Sequence, residues 1–322
     1  MATYKGIQGF TIQNLSADPS NPIEGQVWYN STSNVWKVEE ATTVGTWATG
    51  NNMGTARYGH AGAGTQNAAF AAGGNYSPTI ATTENYDGTS WTVSGNLGTA
   101  RYRFPGAGTQ TAGLAFGGLT PPTVRNQTEE YDGSSWVPSN PLNTARYGLA
   151  SAGTQTAALG FGGYTTANTG ATEEYDGTSW TNSNPLNTAR SFLAGAGIQT
   201  AALAFGGGPP STGATEEYDG TSWVTSNALN TARYQLSGCG TQTAGLAFGG
   251  NIPPNTGSTE LYDGISWTNN PNSMGTPTNS GSEAGIQTAG LAFGGRTTTG
   301  PVATTQEYFG PGAAVTKTIT VS

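Results

Sequence analysis

Few residues of this chain have the side chains that catalysis usually requires. The 322 residues include one histidine, His60, and one cysteine, Cys239. A copper oxidase site needs several histidine ligands, and a nucleophilic triad needs a histidine base beside a recognisable nucleophile motif, so neither can be assembled here. We therefore expect His60 to be a strand-packing or surface residue and Cys239 to be a small core residue. The sequence predicts no catalytic residue, no metal site and no cofactor.

Other polar side chains recur at a fixed period. We expect each recurring arginine to pair with a carboxylate or carbonyl of its own or the adjacent repeat, and each recurring glutamine to satisfy backbone groups of its own turn. The alternative for the glutamines is a circle of amides that binds an ion, water or a glycan. In pairs such as Glu173-Glu174, one carboxylate should face solvent because side chains alternate across a strand. The arginines are Arg57, Arg101, Arg146, Arg190 and Arg233, and the glutamines are Gln66, Gln110, Gln155, Gln199, Gln242 and Gln287.

The same period appears in the elements that must position these residues. Gly-Gly pairs that end Ala-rich runs recur every 43 to 45 residues, beginning at Gly73, Gly117, Gly162, Gly206, Gly249 and Gly294. Six tryptophans keep the same spacing: Trp47, Trp91, Trp136, Trp180, Trp223 and Trp267. A repeat of this length built from short strands predicts an all-β, six-bladed β-propeller with one four-stranded blade per repeat.

One repeat, between Ala145 and Trp180, shows the predicted strands. The first starts at Arg146, the second runs from Thr156 to the Gly-Gly pair, the third turns at Asp176-Gly177, and Trp180 opens the fourth. This order of Arg, Gly-Gly, Tyr-Asp and Trp resembles the kelch repeat over residues 47 to 310. The sixth repeat departs from it, with Pro277 at the arginine position and Phe309 at the aspartate position.

The phase of the tryptophans predicts how the last blade is completed. Trp47 precedes the first Gly-Gly pair, and the sixth repeat has no tryptophan of its own. We therefore expect the strand around Trp47 to be the fourth strand of the last blade, which leaves no open edge. The alternative closing strand is the β-branched tail, residues 315–321.

Composition and charge argue against a nucleic-acid partner and against insertion into a membrane. Charged residues make up 9% of the chain, its formal net charge is −8 and it has no basic stripe, so we expect no nucleic-acid partner. No apolar stretch is long enough to cross a membrane, and the start lacks the apolar core of a secretory signal.

The segment before the repeats reads as a β-hairpin from Gly25 to Val38 around the turn Asn30 to Asn34. It resembles a short segment of bacteriophage tail fibres and related structural proteins, and the polar kelch-like repeats resemble proteins of marine phages. We divide the chain into an N-terminal anchor (residues 1–44), a propeller (residues 45–310) and a C-terminal tail strand (residues 311–322). The resemblance implies anchoring through Trp28, Tyr29 and Trp36.

Loops that differ between repeats are the best candidates for binding, because binding residues concentrate on loops held by a rigid scaffold. The loops after the Gly-Gly pairs should share one face of the propeller. Their candidate binding residues are Tyr76, Arg125, Asn126, Tyr164 and Arg296.

The sequence thus predicts a non-enzymatic virion protein, such as a fibre, appendage or decoration protein, assembled in the host cytoplasm. Its expected partners are other virion proteins, further copies of itself in the particle, and a host-surface glycan or protein. The alternatives are an intracellular or secreted kelch adaptor and, third, a carbohydrate-active propeller enzyme such as a sialidase. Asp-Gly-Thr-Ser-Trp superficially resembles the Asp-box of sialidases, but there one residue separates Asp from Gly.

Overall fold

The computed structural model describes residues 13–19, 26–41, 44–75, 77–311 and 314–319. Within these ranges the regular structure consists of short β-strands, with no helix. Turn residues end each strand after a few positions; at Asp176-Gly177, for example, Gly177 has a φ of 89°, which glycine adopts without steric cost. The all-β class predicted from the spacing of these turns is therefore confirmed.

A separate N-terminal sheet joins both ends of the described chain. Its strands, in order, are β1 (Gln13–Leu15), β2 (Val27–Asn30), β3 (Val35–Ala41) and β30 (Ala314–Ile319). β2 and β3 form the predicted hairpin, in which Trp28 lies opposite Lys37. β1 is parallel to β2, and β30 is antiparallel to β3. The C-terminal strand thus pairs with the N-terminal segment.

Six further sheets, each antiparallel and four-stranded, are found in the described residues. Sheet 1 contains β5 (Ala61–Thr65), β6 (Ala68–Ala72), β7 (Thr83–Tyr86) and β8 (Trp91–Ser94). Sheet 2 contains β9 (Gly106–Thr109), β10 (Ala112–Phe116), β13 (Thr128–Tyr131) and β14 (Trp136–Ser139), with the small hairpin β11 (Leu119–Thr120) and β12 (Thr123–Val124) in its loop. Sheet 3 contains β15 (Ala150–Gly153), β16 (Ala158–Phe161), β17 (Thr172–Tyr175) and β18 (Trp180–Ser183).

The remaining three sheets repeat this pattern. Sheet 4 contains β19 (Ala194–Ile198), β20 (Ala201–Phe205), β21 (Thr215–Tyr218) and β22 (Trp223–Ser226). Sheet 5 contains β23 (Ser237–Thr241), β24 (Ala244–Phe248), β25 (Thr259–Tyr262) and β26 (Trp267–Asn270). Sheet 6 contains β27 (Ser282–Ile286), β28 (Ala289–Phe293), β29 (Thr305–Phe309) and β4 (Thr46–Gly50).

The strand exchange predicted from Trp47 is present in sheet 6. β4 pairs antiparallel with β29, and Trp47 lies opposite Tyr308. One sheet therefore contains strands from both ends of the repeat region, and β4 covers the edge of β29 that would otherwise be open to pairing.

In the repeat between Ala145 and Trp180, the first strand begins later than the sequence suggested. β15 starts at Ala150 and not at Arg146. Between them Gly148 has a φ of 63°, which turns the chain and interrupts a regular strand. Arg146 thus lies in the connector before the sheet.

Aromatic contacts join each sheet to the one before it in the chain, and sheet 1 to sheet 6. Trp180 packs on Phe116 with ring centroids 4.6 Å apart, and both are buried. The equivalent pairs are Trp91–Phe293, Trp136–Phe70, Trp223–Phe161, Trp267–Phe205 and Trp47–Phe248. Close packing requires small residues in the first strands: a Cβ at Gly238 would lie 2.3 Å from the Phe205 ring. These repeated antiparallel sheets have the arrangement of a β-propeller.

Candidate functional site

The recurring arginines are used by the scaffold. The guanidinium of Arg146 lies 3.2 Å from the Glu173 carboxylate of its own sheet, and both side chains are buried. Desolvation lowers the pKa of Arg146 to about 10, and the Glu173 charge opposes that shift. The other four pairs are Arg57–Glu84, Arg101–Glu129, Arg190–Glu216 and Arg233–Glu260. The prediction that these arginines pair within the propeller is confirmed.

The sixth repeat replaces this ion pair with neutral residues. The backbone N–H of Gly250 donates to the Thr278 carbonyl, as that of Gly118 donates to the Arg146 carbonyl. Thr278, and not Pro277, is therefore the structural equivalent of the arginines. Gln306 stands at the glutamate position, and its Oε1 accepts from the Thr276 N–H at 3.1 Å.

The glutamines also join sheets, so the expectation that each serves its own turn is wrong. Gln155 Nε2 donates to the carbonyls of Gly113 and Tyr131 in the preceding sheet, at 3.0 and 2.8 Å. All six glutamines make the equivalent pair of bonds: Gln66, Gln110, Gln155, Gln199, Gln242 and Gln287. The Nε2 groups of these amides are therefore engaged with the backbone of the preceding sheet.

The second glutamate of each pair is likewise engaged. Glu130 accepts a hydrogen bond of 2.5 Å from the Tyr175 hydroxyl of the next sheet. We expected one carboxylate of each pair to face solvent, but Glu130 is half-buried and has a hydrogen-bond partner. Burial and this bond raise the pKa of Tyr175 to about 12. The glutamates therefore stabilise contacts between neighbouring sheets.

His60 and Cys239 are buried between sheets. His60 packs against Phe293 at 5.5 Å, and desolvation holds its pKa well below the usual value. Cys239 belongs to the core beside Leu246, and burial raises the pKa of its thiol above the usual range. Both are packing residues, as predicted. Among the described residues, no group of three or more His, Cys, Asp or Glu side chains is placed to hold a metal ion.

Six equivalent residues form a hydrogen-bonded circle, here called the axial circle, just before the first strands of the sheets. Each backbone N–H donates to the carbonyl of the preceding member, with N···O distances of 2.5 to 2.9 Å, and the six line one cavity. All have φ between 51° and 63°. The members are Gly59, Arg103, Gly148, Phe192, Gln235 and Ser280. Four are not glycine, and left-handed backbone costs such residues about 1–2 kcal/mol each.

Inside the circle, one acidic side chain breaks the sixfold pattern. Glu283 lines the axial cavity, where the other sheets place glycine or serine. Desolvation raises the pKa of Glu283 to about 8, while a hydrogen bond with Ser237 opposes the shift. The equivalent residues are Gly62, Gly106, Ser151, Gly195 and Gly238.

The candidate residues from the sequence occupy different environments. Tyr76 lies outside the described residues. Asn126 Nδ2 donates to the Leu142 carbonyl at 3.1 Å, so this amide holds a connector. Tyr164 packs on Tyr147, with ring centroids 5.4 Å apart.

The two candidate arginines have no carboxylate partner among the described ion pairs. Arg125 has a buried Nε without a hydrogen-bond partner. Arg296 is exposed and lies over the Tyr58 ring at 5.6 Å.

Sequence reasoning missed Arg103, the arginine of the axial circle, as a candidate binding residue. The Arg103 guanidinium lies over the rings of Tyr102, Tyr147 and Phe192, at 5.2, 5.8 and 5.1 Å. These rings come from three successive repeats, so the side chain of Arg103 reaches beyond its own connector.

A signal for this residue was present in the sequence. Arg103 is the second residue after the repeat arginine Arg101, whereas the next repeat has Gly148 at that position. A cleft of about 360 Å³ lies beside the axial circle and is lined by both Arg103 and Arg296. Arg296, a candidate from the sequence, and Arg103, which sequence reasoning missed, therefore line the same cleft.

The proposed anchor residues lie in the N-terminal sheet. Trp28 is fully buried, and its Nε1 donates to Asp18 Oδ1 at 3.0 Å. Asp18 also accepts from Asn30 and Lys37, and these bonds lower its pKa to about 2. Tyr29 and Trp36 pack together at 5.3 Å, and Trp36 is 37% exposed. Trp28 therefore stabilises the sheet, while Trp36 remains accessible to a partner.

Comparison with known proteins identifies the fold alone. No family model matches the chain, and no curated protein matches it significantly. The chain is similar to the solved structure of YjhT, with a TM-score of 0.69 and 12% identity over 83% of this chain and 99% of YjhT. The likeness supports a β-propeller. In the part of the chain that the structure describes, no helix could cross a membrane.

Proposed function

We propose that this chain is a six-bladed, kelch-like propeller that serves as a non-enzymatic structural component of a bacteriophage particle. The six repeated sheets are its blades. The axial circle supports this count, because its hydrogen bonds pass through one residue of each repeat and return from Ser280 to Gly59. β27 also contacts β5, so the first strands of the last and first sheets are neighbours, as those of sheets 1 and 2 are.

The observation that carries the non-enzymatic assignment is the use of the recurring polar groups. The arginines bind glutamates of their own sheets, and the glutamines bind the backbone of neighbouring sheets. Side chains that are engaged in these repeated ion pairs and hydrogen bonds are not free to act on a substrate. What differs between repeats is the loop face around the axial circle, which suits recognition of a partner.

Attachment is assigned to the N-terminal sheet, which is separate in strand order from the six blades. Its exposed Trp36 beside Tyr29 offers the aromatic surface that protein interfaces favour. With this sheet bound to another virion protein, the loop face is available to a host-surface ligand.

The test is incorporation into particles. Trp36→Ala should reduce the amount of the protein in purified particles at least tenfold, because it removes the accessible aromatic contact. Val93→Ala is the matched control, since Val93 is 78% exposed on a blade and should not affect incorporation. A protein absent from wild-type particles but bound to a soluble cellular partner would reject the virion assignment and favour the kelch adaptor.

A further inference from the structure

We propose that the cleft beside the axial circle binds an acidic saccharide residue of a surface polysaccharide. This inference rests on the proposed role of the loop face in recognition, and it names the chemistry of the ligand. The cleft is bounded by loops of several blades and contains Arg103, Arg296, Gln235 and Asn251.

The first argument is uncompensated positive charge. The five repeat arginines pair with glutamates, whereas Arg103 and Arg296 have no carboxylate within salt-bridge distance among the described residues. Their neighbours are aromatic rings, which fix the guanidinium groups without neutralising them. Two such cations in one cleft of a chain with net charge −8 favour an anionic ligand. Guanidinium groups bind carboxylates through paired hydrogen bonds.

The second argument is the presence of hydrogen-bond acceptors in the same cleft. Asn279 Nδ2 donates to Asn255 Oδ1 at 2.7 Å, and Asn251 Nδ2 approaches the same oxygen at 3.4 Å. Asn251, Asn255 and Asn279 all line the cleft. A ligand that carries both a carboxylate and hydroxyl groups can pair with the guanidinium groups and with these amides. A uronic acid residue has that chemistry, and a simple anion lacks the donors.

The third argument is backbone strain at the cleft. Arg103, Gln235 and Ser280 have φ of 58°, 54° and 51°, at positions where two other repeats use glycine. Strained non-glycine residues cluster at ligand clamps, where their side chains have a use that offsets the cost. Three of the four strained non-glycine members of the axial circle line the cleft, and the ring of the fourth, Phe192, lies under the Arg103 guanidinium at 5.1 Å.

The test is binding of the purified full chain to polygalacturonate, alginate and hyaluronate, with dextran as the neutral control. We expect binding to at least one carboxylated polysaccharide, competition by free glucuronate, and weakening at high salt. Arg103→Gly combined with Arg296→Gln should weaken binding at least tenfold. Arg103→Gly suits the backbone, because Gly59 and Gly148 occupy equivalent positions.

Arg125→Gln is the control, since it removes one positive charge, as Arg296→Gln does, from an arginine that does not line the cleft. It should change affinity less than twofold. Equal losses in the control and the double variant would show a diffuse charge effect and overturn the proposal. So would equally tight binding of poly-L-glutamate, or no binding to any of the three polysaccharides. Because the assay uses isolated protein, its failure leaves particle incorporation untouched, and loss of incorporation leaves this binding result standing.

Discussion

Replacing Trp180 with alanine tests whether the recurring tryptophans hold the sheets together. Trp180 is 5% exposed, packs on Phe116 and Tyr175, and donates from Nε1 to Thr128 Oγ1 at 2.9 Å. Removing a buried aromatic side chain of this size costs roughly 3–5 kcal/mol. Trp180→Phe keeps a ring but leaves the buried Thr128 hydroxyl without its donor, so it should cost about 1–3 kcal/mol.

Equilibrium urea denaturation, followed by circular dichroism, measures these losses. Val137→Ala is the control, because Val137 is 57% exposed and its truncation should cost less than about 0.5 kcal/mol. A loss below about 1 kcal/mol for Trp180→Ala would refute the reasoning, since a buried large-to-small change should cost more. It would mean that the interface between sheets 2 and 3 does not depend on this contact.

The remaining predictions concern the exchanged strand and two carboxylates. Deleting residues 1–50 together with residues 312–322 removes β4 and should cause aggregation through the open edge of β29. Deleting residues 1–43 together with residues 312–322 keeps β4, leaves no unpaired β30 and should not cause aggregation. Light scattering would contradict this if both truncated chains stayed monomeric. The folded pKa of Asp18 is lowered to about 2, so its stabilisation of the N-terminal sheet should be lost as pH falls from about 4 to about 2. Asp18→Asn should remove that dependence, and an unchanged pH profile of Trp28 fluorescence would count against it. The folded pKa of Glu283 is raised to about 8, so its effect on stability should become unfavourable as pH rises from about 4 to about 8. Glu283→Gln should therefore stabilise the chain at pH 9, where the buried carboxyl is ionised, but not at pH 4. Equal unfolding free energies of the wild-type protein and this variant at pH 9 would argue against a raised pKa at Glu283.

Much of the fold could be predicted because its signals are local. The Gly-Gly pairs, the Asp-Gly turns and the tryptophans mark strand ends within one repeat, and antiparallel neighbours are joined by short turns. The odd position of Trp47 in that series also predicted that its strand completes the last sheet, since the series has one extra tryptophan at its start and lacks one at its end. The structure adds the register, in which Trp47 lies opposite Tyr308.

Contacts between repeats could not be read from the same signals. Gln155 follows its own turn in sequence, yet it bonds to Gly113 and Tyr131 of the preceding sheet because the turn lies against that sheet. The repeat period shows that the glutamines are equivalent, but it does not show which carbonyls lie within reach.

The sequence by itself determined the repeat, the strand-rich class and the scaffold role of the recurring arginines, since these follow from local turn chemistry and from charges that recur together. Only the tertiary structure decided where binding residues meet. Arg103 and Arg296 are 193 positions apart in the chain. They share a cleft because the sheets bring the connector before β9 and the loop between β28 and β29 together. The axial circle is equally nonlocal, as each of its hydrogen bonds joins two repeats whose distance in space is set by packing of the sheets.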